Sequence, residues 1–107
     1  MGEATYRVSI TADGWRDLEE LAEFWIDRHE EWRAEKYSRD LVRAARTELR
    51  DPVRARRGRP LGSRQHPDAR KFLAFGIYWI IYEIHEAEQQ IDVLRFWHAH
   101  RDAPPLE

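Results

Sequence analysis

The chain has no cysteine, which excludes a disulfide framework and any zinc site built on thiolates. No apolar run approaches the ~20 residues needed to cross a bilayer. The opening residues, Met1 to Tyr6, carry neither the basic nor the apolar region of a signal peptide. Internal repeats and low-complexity tracts are missing too. A cytoplasmic protein without membrane contact is therefore expected. With 107 residues, the expectation is one domain over 1–107, a size that buries about two-thirds of its unfolded surface. Such a chain has room for one core and none for a separate catalytic domain. Its 42% hydrophobic and 36% charged residues suit a small globular protein.

The formal net charge of -2 conceals a polarity along the chain. Residues 13–35 hold nine acids against Arg16, Arg28 and Arg33, a net of -6. Residues 50–71 hold seven arginines and Lys71 against Asp51 and Asp68, a net of +6. Fields act locally, so the near-neutral total does not exclude an anionic partner at the basic segment.

Residues 5–10 alternate, with Tyr6, Val8 and Ile10 on one side, the period of a half-buried strand. Thr11 or Asp13 is placed to cap a helix. In that helix Trp15, Leu18, Leu21, Ala22, Trp25 and Ile26 share one face at three- and four-residue spacing. A second helix presents Tyr37, Leu41, Ala45 and Leu49, and Pro52 stops it at about Arg50 or Asp51. No Gly or Pro marks the turn between the two helices. Residues 51–67, with Pro52, Gly58, Pro60, Gly62 and Pro67, read as a long loop, a feature usually functional when it occurs in a compact domain. Strands follow at 70–75, 77–85 and 91–98, and 103–107 reads as a frayed tail.

The late strands are apolar on both faces. Tyr78, Ile80, Tyr82 and Ile84 alternate with Ile77, Trp79 and Ile81. Ile91, Val93 and Trp97 are expected opposite Leu94 and Phe96. A helical pair covers one face of such a sheet. The other needs a loop, a tail or another chain, and a protein-binding surface is the expectation.

In order and spacing the segments resemble the ParE/RelE superfamily of toxins from bacterial type II toxin–antitoxin modules, the ParE branch in particular. The resemblance covers about residues 6–102. It rests on Asp13-Gly-Trp-Arg-Asp-Leu18-Glu-Glu-Leu21, on Arg57-Gly-Arg-Pro-Leu-Gly62, on Tyr78-Trp79-Ile80-Ile81-Tyr82 and on Leu94-Arg95-Phe96-Trp97-His98-Ala99-His100-Arg101-Asp102. Each piece is short and degenerate; their succession carries the likeness. It implies an α+β fold: an N-terminal strand, an α-helical hairpin, then an antiparallel three-stranded meander. It also implies a toxin that inhibits DNA gyrase by binding, without enzymatic activity, and is neutralised by a cognate antitoxin. DNA would be contacted only through the antitoxin complex.

One departure bears on the target. Trp79 stands where many relatives place an arginine. The alternative reading is a ribosome-dependent mRNA endonuclease. It needs groups to activate the 2′-OH, protonate the leaving oxygen and surround the phosphorane with cations. His98, Arg95, Arg101 and Tyr82 are its candidates, with Arg70, Lys71 and His100 nearby in sequence. A non-toxic module that still captures an antitoxin is the other alternative.

For target binding the candidates are Arg56, Arg57, Arg59, Arg64, His98 and Arg101. For antitoxin binding they are Trp25, Trp79, Ile81 and Trp97. No aromatic residue is interleaved with the arginines of 54–64, so single-strand stacking is not indicated there. A metal site needs three or four ligands, and His98 and His100 have only His85 as a further strand histidine, so neither metal nor other cofactor is expected. The blander readings are that the arginines form a solvated loop, that the two histidines end a strand near solvent, and that most of the five tryptophans are core, with Trp32 and Trp97 as surface anchors.

Overall fold

The computed structural model describes residues 4–101 and 106, so most of the expected tail at 103–107, and Asp102, lie outside it. Strand β1 (Arg7–Ile10) leads into helices α1 (Ala12–Asp27) and α2 (Glu31–Leu49). A short helix α3 (Pro52–Arg56) and a two-residue strand β2 (Arg59–Pro60) come next. Strands β3 (Ala69–Ala74), β4 (Tyr78–His85) and β5 (Gln90–His98) complete the order, with a 3-10 turn at Glu86–Glu88.

The fold is α+β, as expected, with one more strand than the sequence suggested. A single sheet runs β1-β5-β4-β3-β2, parallel between β1 and β5 and antiparallel elsewhere. The segment 51–67 is not one long loop. Asp51 caps α3 by accepting the Val53 N–H, Pro52 takes the first helical position where no N–H is needed, and Arg59 and Pro60 pair with Lys71 and Arg70.

Thr11 caps α1 by accepting the Gly14 N–H, and its hydroxyl donates to the Val93 and Leu94 carbonyls. The helix thus starts in contact with β5. Gly14 sits where an added Cβ would lie 2.9 Å from Ile10 Cγ2 and 3.2 Å from the Val93 carbonyl oxygen, so helix and strand approach closely. The turn between α1 and α2 has no sequence signature because a histidine makes it: His29 adopts the left-handed conformation at φ 58°.

The helices cover one sheet face. Leu18, Leu21, Leu41, Ala45 and Leu49 pack with Ile80, Tyr82, Ile91, Val93 and Phe96. Two expectations about faces need correcting. Trp15 and Ile26 are exposed, because the buried stripe of α1 is narrower than the apolar one and centres on Leu18 and Leu21. In β5 the alternation breaks: Ile81 pairs with Arg95 but Tyr82 with Val93, leaving Leu94 as a bulge. The extra residue puts Phe96 in the core beside Ile91 and Val93, the reverse of the simple alternation. On the second face Ile81 is fully buried and Trp97 is 8% exposed in the chain alone, so that face is not an open apolar surface. Among the described residues no helix is long and apolar enough to cross a membrane.

Candidate interaction surfaces

The basic corner is built around Tyr82. Its hydroxyl, fully buried, donates to the Ala55 carbonyl and so ties α3 to the sheet. Gly58 lies against the same ring; a Cβ there would fall 1.9 Å from the Tyr82 oxygen, which only glycine avoids. Arg70 donates to the Gly58 carbonyl at 2.8 Å. Burial pushes the Tyr82 phenol up to about 12, against the partial relief given by the Arg70 charge. The sequence-based expectation of Tyr82 as an acid–base group is therefore corrected. It is a structural hydrogen-bond donor with no access to a substrate.

The arginines of this corner divide into two sets. Arg54 pairs with Glu48 at 3.0 Å, and Arg56 with Glu86 at 3.2 Å. Glu86 also accepts from the Tyr6 hydroxyl at 2.8 Å, and these two donors hold its carboxyl below the usual carboxylate range. Arg56, a candidate for target contact, is thus engaged in joining α3 to the turn at Glu86 and, through it, to Tyr6 just before β1. Arg57, Arg59 and Arg64 are exposed and make no ion pair among the described residues.

A second locus lies where β1 has ended and β5 continues. Asp17 of α1, 6% exposed, receives Arg95 through two contacts, Nε at 2.7 Å and Nη2 at 2.8 Å, and accepts the Phe96 N–H at 3.0 Å. One carboxylate thereby satisfies a strand edge that β1 no longer covers. The hydrogen bonds it donates to Asp17 hold the Arg95 guanidinium charged even more firmly than usual. Arg95 is committed to the fold, which corrects its expected role as a phosphate-binding cation.

His98, His100 and Arg101 do come together, with Asp17, Glu20, Leu21, Phe24, Tyr78 and Phe96, around an open cleft of about 510 Å³. The His98 ring stands edge-on to Tyr78 at 5.4 Å and accepts the His100 N–H on Nδ1 at 3.1 Å. That bond places the proton of the neutral ring on Nε2. Desolvation, with the charges of His100 and Arg101, lowers the His98 pKa and favours this neutral form.

The tryptophan candidates are spread over different surfaces. Trp25 belongs to the helical hairpin, where its indole donates to the Tyr78 hydroxyl at 3.2 Å beside Tyr37. On the second sheet face Trp79 pairs across strands with Trp97, Lys71 lies 4.4 Å over Trp79, and Arg101 lies 4.2 Å over Trp97. Ile81, buried completely, offers nothing to a partner, which corrects its place among the antitoxin contacts. The exposed apolar side chains are Trp15, Phe24, Ile26 and Trp32 on the hairpin, Val53 in α3, Leu73 opposite Trp79 on the second face, and Phe75 in the β3–β4 turn.

Sequence reasoning passed over one chain of groups. His66 Nδ1 lies 3.3 Å from Glu83, and His85 lies 3.5 Å from Glu83 and 3.1 Å from Asp92. Glu83 and His85 alternate along a strand, and that spacing was the available signal. Among the described residues no group of three such side chains is placed to hold a metal ion.

The chain thus presents a helical hairpin on one face of a five-stranded mixed sheet, with a basic corner at one edge. Residues 8–103 match the sequence profile of the ParE toxin of type II toxin–antitoxin systems, parDE, and the chain belongs to that family. Two solved structures share the fold. The toxin–antitoxin complex RelBE2 from Mycobacterium tuberculosis aligns over 94% of this chain and 98% of its own, at 23% identity and TM-score 0.66. The chromosomal ParDE system from P. aeruginosa aligns over 88% and 96%, at 18% identity and TM-score 0.70. No curated protein sequence matches the chain.

Proposed function

We propose that this ParE-family toxin acts by binding DNA gyrase and is silenced by a cognate antitoxin. The observation that carries the choice of target is the dispersal of the RNA-cleavage groups. Tyr82 is buried and bonded, Arg95 is held by Asp17, and Trp79 takes the place of a strand cation. Phosphoryl transfer without metal needs acid, base and cations converging on one phosphate. What remains for target contact is Arg57, Arg59 and Arg64 at the corner, and His98 with Arg101 at the cleft. The antitoxin reading draws on the two structural relatives, both of them toxin–antitoxin systems, and on the exposed aromatic residues of the hairpin. Trp25 and Trp79 are its partly buried contacts.

Pulse-labelling in bacteria just after induction of the chain alone tests this reading. DNA synthesis should fail before protein synthesis, and replacing Arg57, Arg59 and Arg64 together by Ala should slow that failure without altering the circular dichroism. Protein synthesis failing first would transfer the assignment to mRNA cleavage, a reading favoured by the grouping of His98, His100 and Arg101 in one cleft. If neither synthesis fails, the chain is a non-toxic antitoxin-binding module.

A further inference from the structure

The turn between β3 and β4 is built against local preference. The Ile77 N–H donates to the Ala74 carbonyl at 3.1 Å, so Phe75 and Gly76 are the central residues of a four-residue turn. Both take positive φ, 56° and 67°. Positive φ at both central positions is the requirement of a type I′ turn, for which asparagine followed by glycine is favoured. Gly76 meets that requirement freely, whereas the Cβ of a phenylalanine crowds the adjacent backbone. The other non-glycine residues with positive φ among those described are His29 and Gln89, both polar. Phe75 is the apolar exception.

The ring gains nothing in return within the chain. Phe75 is 52% exposed and stands outside the packed core, which takes in its neighbours Ala74, Ile77 and Tyr78. A strained backbone whose side chain contributes no burial is the pattern of a residue kept for contact rather than for folding. The surroundings indicate what it contacts. The Ile77 carbonyl accepts the Ala99 N–H at 2.7 Å and Tyr78 pairs with His98. The turn therefore lies at the end of the sheet that carries His98 and Arg101, which the proposed function gives to the target. From Phe72 to Trp79 no residue is charged. A side chain wedged between base pairs is held there by cations on the flanking phosphates, and this stretch supplies none. An apolar pocket on a protein suits it instead.

We infer that Phe75 is the aromatic anchor of the toxin for its target: the turn projects the ring into an apolar pocket of the target protein, with His98 and Arg101 at the polar rim beside it. The inference rests on the gyrase reading and deepens it, by giving an apolar centre to a contact surface otherwise made of arginines and a histidine.

Phe75→Asn in the full chain separates contact from structure, because asparagine suits the turn and removes the ring. Its urea midpoint should equal or exceed that of the wild type. The concentration needed to inhibit supercoiling by purified gyrase should rise about tenfold, the scale of a lost aromatic anchor. Phe75→Leu, which keeps apolar bulk on the same strained backbone, should retain most of the inhibition. Undiminished inhibition by Phe75→Asn overturns the inference. A lowered urea midpoint does so too, by making Phe75 a packing residue, as does duplex DNA binding by the toxin alone that Phe75→Asn weakens. If the wild type leaves gyrase untouched yet arrests growth, the gyrase reading fails by itself. Relief of that arrest by Phe75→Asn then keeps the anchor, and an unchanged arrest sinks it. A wild-type chain that arrests no growth sinks both.

Discussion

The Tyr82 hydroxyl ionises only under strongly alkaline conditions, because it is buried and its proton is given to the Ala55 carbonyl. A phenol whose folded pKa is raised above its unfolded value contributes stability that is intact below the unfolded value and lost as pH climbs through the folded one. With the ordinary value of 10.0 and a folded value of about 12, the window is the two units between them. We expect roughly 2–3 kcal/mol of stability to disappear across it from this residue. Tyr82→Phe should cost about 1 kcal/mol at neutral pH, by leaving the Ala55 carbonyl without its donor. In return its stability should fall less steeply on the alkaline side. Urea denaturation at neutral and alkaline pH compares the two proteins, and parallel losses would show that other tyrosines govern the effect. The sequence grouped Tyr82 with Tyr78, Ile80 and Ile84 on one face of a strand. It did not show Gly58 and Ala55 closing over it, because that contact depends on a short helix hidden in a proline- and glycine-rich stretch.

At the scale of elements, the connection between β1, α1 and β5 is the most constrained part of the molecule. Thr11 caps the helix and binds the bulge at Leu94, and one turn and a half later Asp17 satisfies the exposed strand edge. Asp17→Ala would leave the Phe96 N–H unpaired and the Arg95 guanidinium, 17% exposed, without its counter-ion. The expected loss is about 3 kcal/mol, measured by urea denaturation. The double variant D17L/R95L should lose less than the sum of the single changes, since it removes both charges together. Strict additivity would mean the pair is not coupled. The helix cap was legible because threonine before a helical period has a local cause. The bulge was not, since an extra residue in a strand leaves no mark on composition and simply inverts every side chain after it. Reading β5 as unbroken therefore grouped Trp97 with Ile91 and Val93 and set Phe96 against them, whereas the bulge brings Phe96 to their side and Trp97 beside Trp79.

Over the whole molecule, the distribution of exposed aromatic residues decides where a partner is felt. The second sheet face looked open from the sequence because two helices cover only one side, and that premise holds. The aromatic residues of that face are nevertheless sheltered, Trp97 beneath Arg95 and Arg101 and Trp79 beside Lys71, while Leu73 opposite Trp79 stays 46% exposed. Trp32 at 60% and Trp15 at 43% are the accessible indoles, and both lie on the acidic hairpin. Acrylamide should therefore quench a fraction of the fluorescence that Trp32→Phe and Trp15→Phe remove and Trp97→Phe leaves in place. Addition of the antitoxin gives this its functional sense. Buried indole emits at shorter wavelength, so a partner laid over the hairpin should shift the emission to the blue, and Trp32→Phe should abolish most of the shift. A shift that survives in Trp32→Phe but is lost in Trp79→Phe would place the partner on the sheet instead. The hairpin carries both exposed indoles, so it offers a partner the larger gain from aromatic burial, and Trp32 is where that gain begins.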